Sequence, residues 1–206
     1  VEELKKCLDS ITSQSLDSDI QLSIAISNIA SSDGTYSYLS NLEGPDGRFF
    51  ITNKVGTNEY CNAGSLAATI PPHADWVWLM GDDDYLASPN SISIIHEIIK
   101  NTRTSNLSFV HACQARRSAR SGNMYEGDVM KLCEEFGYLE MLGWFSSLIT
   151  RRNIMTEALQ NWQTIYQKQL SVGSAFGHSA ELLKLLYNKP GAFVDYPLVE
   201  PQDDKM

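Results

Sequence analysis

The chain has 206 residues, of which 43% are hydrophobic, enough for one sizeable core and short of two comfortable ones. Its 25 acidic and 16 basic side chains leave a net charge of −9, which repels a nucleic-acid backbone and excludes a general polyanion binder. The strongest basic clusters, Arg116-Arg117 with Arg120 and Arg151-Arg152, suit a single anionic group better than a polymer track.

Cys7, Cys61, Cys113 and Cys133 form no C-x-x-C pair, so neither a structural zinc site nor a disulfide framework is expected, and a reducing, cytoplasmic setting is the default. No apolar run reaches the roughly 18–20 residues that a bilayer-spanning helix needs. Both ends read as cut, since Val1 enters a helical pattern without a capping residue and Met206 follows a polar run.

In chain order, Leu4, Cys7, Leu8 and Ile11 predict an opening amphipathic helix. Residues 21–27 alternate as a strand, followed by a turn over 30–35 in which Gly34 supplies a positive φ. A strand over 48–52 and a helix over 58–69, closed by Pro71-Pro72, come next. The β-forming run 75–80 is broken by Asp82-Asp83-Asp84, a helix follows over 89–100, and 107–111 is strand again. The stretch 112–127 reads as a polar lid-like connection. Helix 129–136, strand 144–150 and helices 154–166 and 178–187 complete the pattern.

This alternation favours an α/β sandwich with a mostly parallel sheet. Ligands of such sheets sit at the carboxyl ends of the strands, where the 31–35 and 82–84 loops both fall, so the two loops are expected to share one site.

Three adjacent carboxylates repel one another, and a hard divalent cation, Mg²⁺ or Mn²⁺, resolves the conflict while leaving positions open for a diphosphate. The competing reading is a solvated acidic turn or a helix cap.

On these residues the chain resembles glycosyltransferase family 2, with its GT-A fold and D-x-D motif. The resemblance rests on Leu4-Lys-Lys-Cys-Leu-Asp-Ser-Ile11, on Ser27 to Thr35, on Asn62, and on Leu79-Met-Gly-Asp-Asp-Asp-Tyr-Leu86 with Pro89, in family order. Later segments, Trp144 to Arg152 and Gly173 to His178, resemble bacterial enzymes that build O-antigen and capsule, among them abequosyltransferase-like proteins.

The resemblance implies a single three-layer GT-A domain over 1–206 that lacks its first strand, with a nucleotide-sugar half at 1–111 and an acceptor half at 112–206. It implies that Asp84 ligates the metal, while Asp82 and Asp83 bind ribose or reach the metal through water. Asp33 and Asn62 would line the nucleotide pocket. Each has a structural alternative, a turn-stabilising bond for Asp33 and helix packing for Asn62.

The family's Asp-Asn is here Asn28-Ile29, which brings an amide donor to the turn, and its E-D base motif is missing. His178 falls where that base would stand, with Glu181 in reserve. Helix capping or packing for His178, and a pair with Lys184 for Glu181, are the alternatives. His73, His96 and His111 read as structural or solvent-facing, and Trp76, Trp78 and Trp144 as core or as a platform for a sugar ring.

The implied activity is inverting transfer of a sugar from a nucleotide-diphosphate donor to a saccharide or lipid-linked saccharide, in cell-surface polysaccharide synthesis, with peripheral contact at the inner membrane. Two rivals are a polymerase that places Gly81-Asp82-Asp83 in a metal-binding hairpin, and a non-catalytic nucleotide-sugar or glycan-binding relative.

Overall fold

The computed structural model describes residues 1–29, 31–42, 47–54, 62–102, 106–115, 121–168 and 176–201. Its elements in chain order are α1 (Glu2–Thr12), β1 (Ile24–Ile29), α2 (Thr35–Ser40), β2 (Phe49–Lys54), α3 (Asn62–Thr69), β3 (Trp76–Trp78), β4 (Asp84–Leu86) and α4 (Ser91–Asn101). Then come β5 (Phe109–Gln114), β6 (Met124–Asp128), α5 (Val129–Phe136), α6 (Tyr138–Leu142), a 3-10 turn (Phe145–Ser147), β7 (Leu148–Arg151), α7 (Arg152–Lys168), α8 (Gly177–Leu185) and β8 (Pro190–Pro201).

The fold is α/β, as the alternating pattern predicts, and the four strands read from the first half of the sequence are all present. Among the described residues they do not form one ladder. β1 pairs with β2 in parallel, whereas β3 and β5 belong to a six-stranded sheet of order β3-β7-β5-β8-β4, with β6 also on β8. That sheet is mixed: β5 runs parallel to β8, while β4 and β6 run antiparallel to β8 and β7 antiparallel to β5. The organiser is β8, a 12-residue strand that sequence reading passed over because its three prolines, Asp195 and Glu200 interrupt the apolar alternation.

The chain divides into two compact units. The first comprises Val1, Gln21–Val77 and Arg151–Leu185. Its helices α3, α7 and α8 pack together with the β1–β2 pair, around Ile24, Leu39, Ala67, Met155, Ala158, Leu159 and Leu182. Gly34 takes φ 88° and starts α2, so the turn expected there is also a helix entry.

The second unit comprises Glu2–Ile20, Trp78–Thr150 and Leu186–Met206. Phe109, Val110, Leu148, Phe193 and Val194 are fully buried at its centre. Phe193 packs on Phe136 at 4.3 Å between ring centroids and on Tyr125 at 6.0 Å, in the offset arrangements that aromatic quadrupoles favour. Asp128 caps α5 by accepting from the amides of Met130 and Lys131, and the described part of the expected lid over 112–127 includes the end of β5 and most of β6, which leads into that helix. Of that stretch, 116–120, with Arg116, Arg117 and Arg120, lies outside the described residues. The strand expected over 144–150 begins as a 3-10 turn, closed by the Ser147 amide on the Trp144 carbonyl at 3.2 Å.

Gly191 of β8 faces both neighbours so closely that an added Cβ would come within 2.6 Å of Val129 Cγ2 and 3.3 Å of the Phe109 carbonyl oxygen. Gly191→Ala should therefore destabilise the protein by about 1–3 kcal/mol through overpacking. The check is a lowered urea midpoint with an unchanged m-value.

Candidate functional site

In the second unit, α1 carries Cys7 and Ser10, and Gln14 lies just beyond its end. All three grip the segment from Gly81 to Ile92. The Cys7 thiol donates to the Gly81 carbonyl at 3.6 Å. The Ser10 hydroxyl accepts from the Leu86 amide at 3.0 Å while donating to the Cys7 carbonyl. Gln14 donates to the Ser88 carbonyl at 2.7 Å and accepts from the Ile92 amide at 3.1 Å. The helix thus holds the acidic segment by its backbone, and the carboxylates remain available for other contacts.

The three aspartates are presented differently. Asp82 and Asp83 are exposed in a turn, whereas Asp84 opens β4 and is only 4% exposed. The Ser146 hydroxyl donates to Asp84 Oδ2 at 2.5 Å and accepts from the Gly81 amide at 2.8 Å. Ser146 is itself held by the Trp78 indole, which donates to its carbonyl at 2.8 Å.

A Cβ placed on Gly81 would stand 2.8 Å from Asp83 Oδ1, 3.3 Å from Asp84 Oδ2 and 3.5 Å from Ser146 Oγ. Three oxygens from three residues therefore border one small space that any other residue at 81 would fill. Two carboxylates and a hydroxyl around such a space suit a hard divalent cation. Among the described residues no group of three or more His, Cys, Asp and Glu side chains forms a metal cage. A cation here would draw its other ligands from water or a diphosphate, as Mg²⁺ commonly does.

Burial raises the Asp84 carboxyl above its ordinary value of 3.8; the Ser146 hydrogen bond opposes this and the Asp83 charge adds to it. Asp82 is raised too, first by desolvation and further by Asp83 and Glu3. The Cys7 thiol is pushed up to about 12 by burial and then by the three aspartates, so it is an inert hydrogen-bonding group and not a nucleophile.

The other expected site residues belong to the first unit. Asp33 accepts from both the amide and hydroxyl of Thr35, at 3.2 and 2.6 Å, and pairs with the Val1 amino group. That amino group and Thr35 hold its carboxyl well below the usual range. Asn62 opens α3 and is exposed. His178 is 2% exposed, beside the rings of Trp162 and Phe176, with its Nε2 3.2 Å from the Ser179 hydroxyl. Glu181 is 4% exposed and accepts from Lys184 at 2.5 Å.

Asn28 uses the amide donor that distinguishes it from an aspartate: its Nδ2 donates to Asn53 Oδ1 at 2.7 Å. Asn53 in turn donates to the Tyr36 carbonyl at 2.8 Å, tying β1, β2 and α2 together. Of the remaining histidines, His73 lies beside Ser23, His96 bonds Asp19, and buried His111 bonds the Glu140 carbonyl. Arg151 stacks over Trp76 at 4.4 Å and Arg152 donates to the Pro71 carbonyl, so both are engaged within the first unit. Ser146 and Asn53 are contributors to which sequence reasoning gave no role, and Gly81 was read only as part of the aspartate motif and of its polymerase rival. For Gly81, its place directly before the aspartates was a usable signal; for Ser146, 62 residues from Asp84, no local signal exists.

Because Asp82 and Asp84 bind protons more readily folded than unfolded, their contribution to stability is full below the unfolded pKa. It declines as pH rises through the raised folded values. At pH 7 the ionised cluster is therefore destabilising, and a bound cation should relieve it. Melting temperature at pH 7 should rise on adding Mn²⁺ or Mg²⁺, the rise should vanish once the pH falls below the ordinary aspartate value of 3.8, and Asp84→Asn should abolish it.

No family model matches the chain, and no characterised protein matches it in sequence, so the reading of this site rests on its own residues.

Proposed function

We propose that the protein is a metal-dependent glycosyltransferase of the GT-A type that moves a sugar from a nucleotide-diphosphate donor to a hydroxyl acceptor. The observation that carries this reading is the unequal presentation of Asp82, Asp83 and Asp84, with oxygens of Asp83 and Asp84 bordering the space beside Gly81. One carboxylate is buried and bonded by Ser146, two are exposed, and the segment carrying them is held by bonds from α1 side chains to the flanking backbone of Gly81 and Leu86. A solvated acidic turn needs none of that support, and retaining mutually repelling carboxylates under desolvation is characteristic of sites that meet a cation.

Asp84 and Asp83 would hold the ion, with Asp82 on the ribose or on the ion through water. The ion supplies a Lewis acid that offsets charge building on the departing diphosphate. Asp33 and Asn62 remain proposed as lining of the nucleotide pocket, and His178 with Glu181 in reserve as the acceptor's base. Among the described residues no helix is long and apolar enough to cross a membrane, which is compatible with an enzyme that meets a lipid-linked acceptor from the cytoplasmic side.

A second reading, a nucleotide-sugar or glycan-binding relative without transfer, is favoured by the burial of His178 and Glu181. A base must reach the acceptor's proton directly or through one water, and both side chains already serve packing and pairing.

The two readings share a binding test and part at turnover. Thermal melting with a panel of nucleoside diphosphates should show stabilisation by one of them only when Mn²⁺ is present; no stabilisation by any removes the transferase reading and the nucleotide-sugar-binding form of the second. If His178 is the base, His178→Ala should lower turnover of the matching nucleotide sugar by about 10²–10⁴-fold at nearly unchanged donor affinity. Activity should also fall on acidification as the ring protonates. Metal-dependent binding without turnover of any nucleotide sugar establishes the second reading.

A further inference from the structure

Trp76, Trp78 and Trp144 are all half-buried, but their rings are committed differently. Trp76 belongs to the first unit and lies under the Arg151 guanidinium at 4.4 Å. Trp78 is a strand residue of β3, and its indole N–H goes to the Ser146 carbonyl. Trp144 stands outside any helix or strand, at the entry of the 3-10 turn, where its carbonyl accepts from the Ser147 amide. Its side chain hydrogen-bonds the Asp84 carboxylate, which Ser146, two residues on, bonds as well. Of the three, Trp144 is the one tied to the aspartate site by the polar edge of its ring.

An indole has one donor, and once that donor is used the ring offers an apolar face and the negative charge of its π-system. A pyranose ring presents the complement, a face of C–H groups with partial positive charge and a rim of hydroxyls. The sugar of a nucleotide-sugar donor is joined to the diphosphate through one oxygen. A diphosphate held on a cation at Asp83 and Asp84 therefore delivers that sugar beside Trp144.

We propose that Trp144 is a specificity-determining residue, the platform on which the donor's sugar stacks. The proposal rests on the nucleotide-sugar reading of Asp82–Asp84 and goes beyond it by separating recognition of the sugar from recognition of the diphosphate.

The experiment is calorimetric titration of the full chain with Mn²⁺ present, comparing each nucleoside diphosphate with its sugar conjugate: UDP with UDP-glucose, dTDP with dTDP-glucose, CDP with CDP-glucose and GDP with GDP-mannose. Trp144→Leu should weaken binding of the conjugate about 3–10-fold relative to the free diphosphate, the scale of one lost aromatic contact. Trp144→Phe keeps a ring and loses the N–H, so it should affect both ligands alike and keep their ratio. A tryptophan that supports only the fold or the carboxylate would lower both affinities together in Trp144→Leu, and that unchanged ratio overturns the proposal. Should Trp144→Leu fail to fold, magnetic resonance on wild type decides: saturation of the indole protons should pass to the C–H protons of the bound sugar, and no transfer overturns the proposal. Wild type that binds none of these ligands removes the nucleotide-sugar reading and this inference with it. Wild type that binds diphosphate and conjugate, with an unchanged Trp144→Leu ratio, removes only the inference.

Discussion

Asp84 enters the second unit as a carboxylate that is 4% exposed and follows two other carboxylates directly in sequence. An ionised group in that position loses hydration and gains repulsion, so it persists only if the surrounding structure supplies hydrogen bonds in advance. The Trp144 side chain supplies one and Ser146 another, and the local architecture holds that hydroxyl in place. The 3-10 turn presents it, the Trp78 indole fixes its carbonyl, and the Gly81 amide fixes its oxygen. Gly81 has to be glycine because the oxygens of Asp83, Asp84 and Ser146 border the space a side chain would take.

The opening helix gains a purpose from the same constraint. An amphipathic helix buries Leu4, Cys7 and Leu8 for ordinary hydrophobic reasons. Cys7 and Ser10 of the helix, with Gln14 just beyond its end, bond backbone groups of the 81–92 segment as well as carbonyls of the helix itself. Backbone anchoring holds a loop's path without neutralising its side chains, which is the arrangement a charged site requires. In the first unit the polar work differs in kind. Asn28 and Asn53 satisfy each other and the Tyr36 carbonyl, and Asp33 closes a local turn. These bonds fasten strands and a helix entry. They identify no ligand by themselves, so the case for chemistry is strongest at Asp82–Asp84.

Much of this was legible in the residues themselves. Local rules were enough where the cause is local: the 3.6-residue period of Leu4, Cys7 and Leu8 placed α1, and the need for a positive φ picked out Gly34 at φ 88°. The alternation of strand and helix through residue 111 was equally readable, because each of those segments carries its own apolar pattern. The same holds for the candidate site, since three consecutive aspartates after an apolar strand conflict electrostatically whatever the fold.

What only the tertiary structure decided is everything that depends on distant partners. β8 became the sheet's organiser despite Pro197 and Glu200 because β4, β5 and β6 all hydrogen-bond to it. The end of the stretch expected to be a lid became β6 for the same reason. Which of the three aspartates is buried, and which of its oxygens is taken, follows from Ser146, a residue no spacing rule connects to position 84. His178 and Glu181 stand where a helix-start pattern invites a catalytic reading, yet their burial among Trp162, Phe176 and Lys184 is a property of packing. Sequence determines the chemistry each side chain offers and the period in which it recurs; proximity across the chain determines which of those offers is accepted.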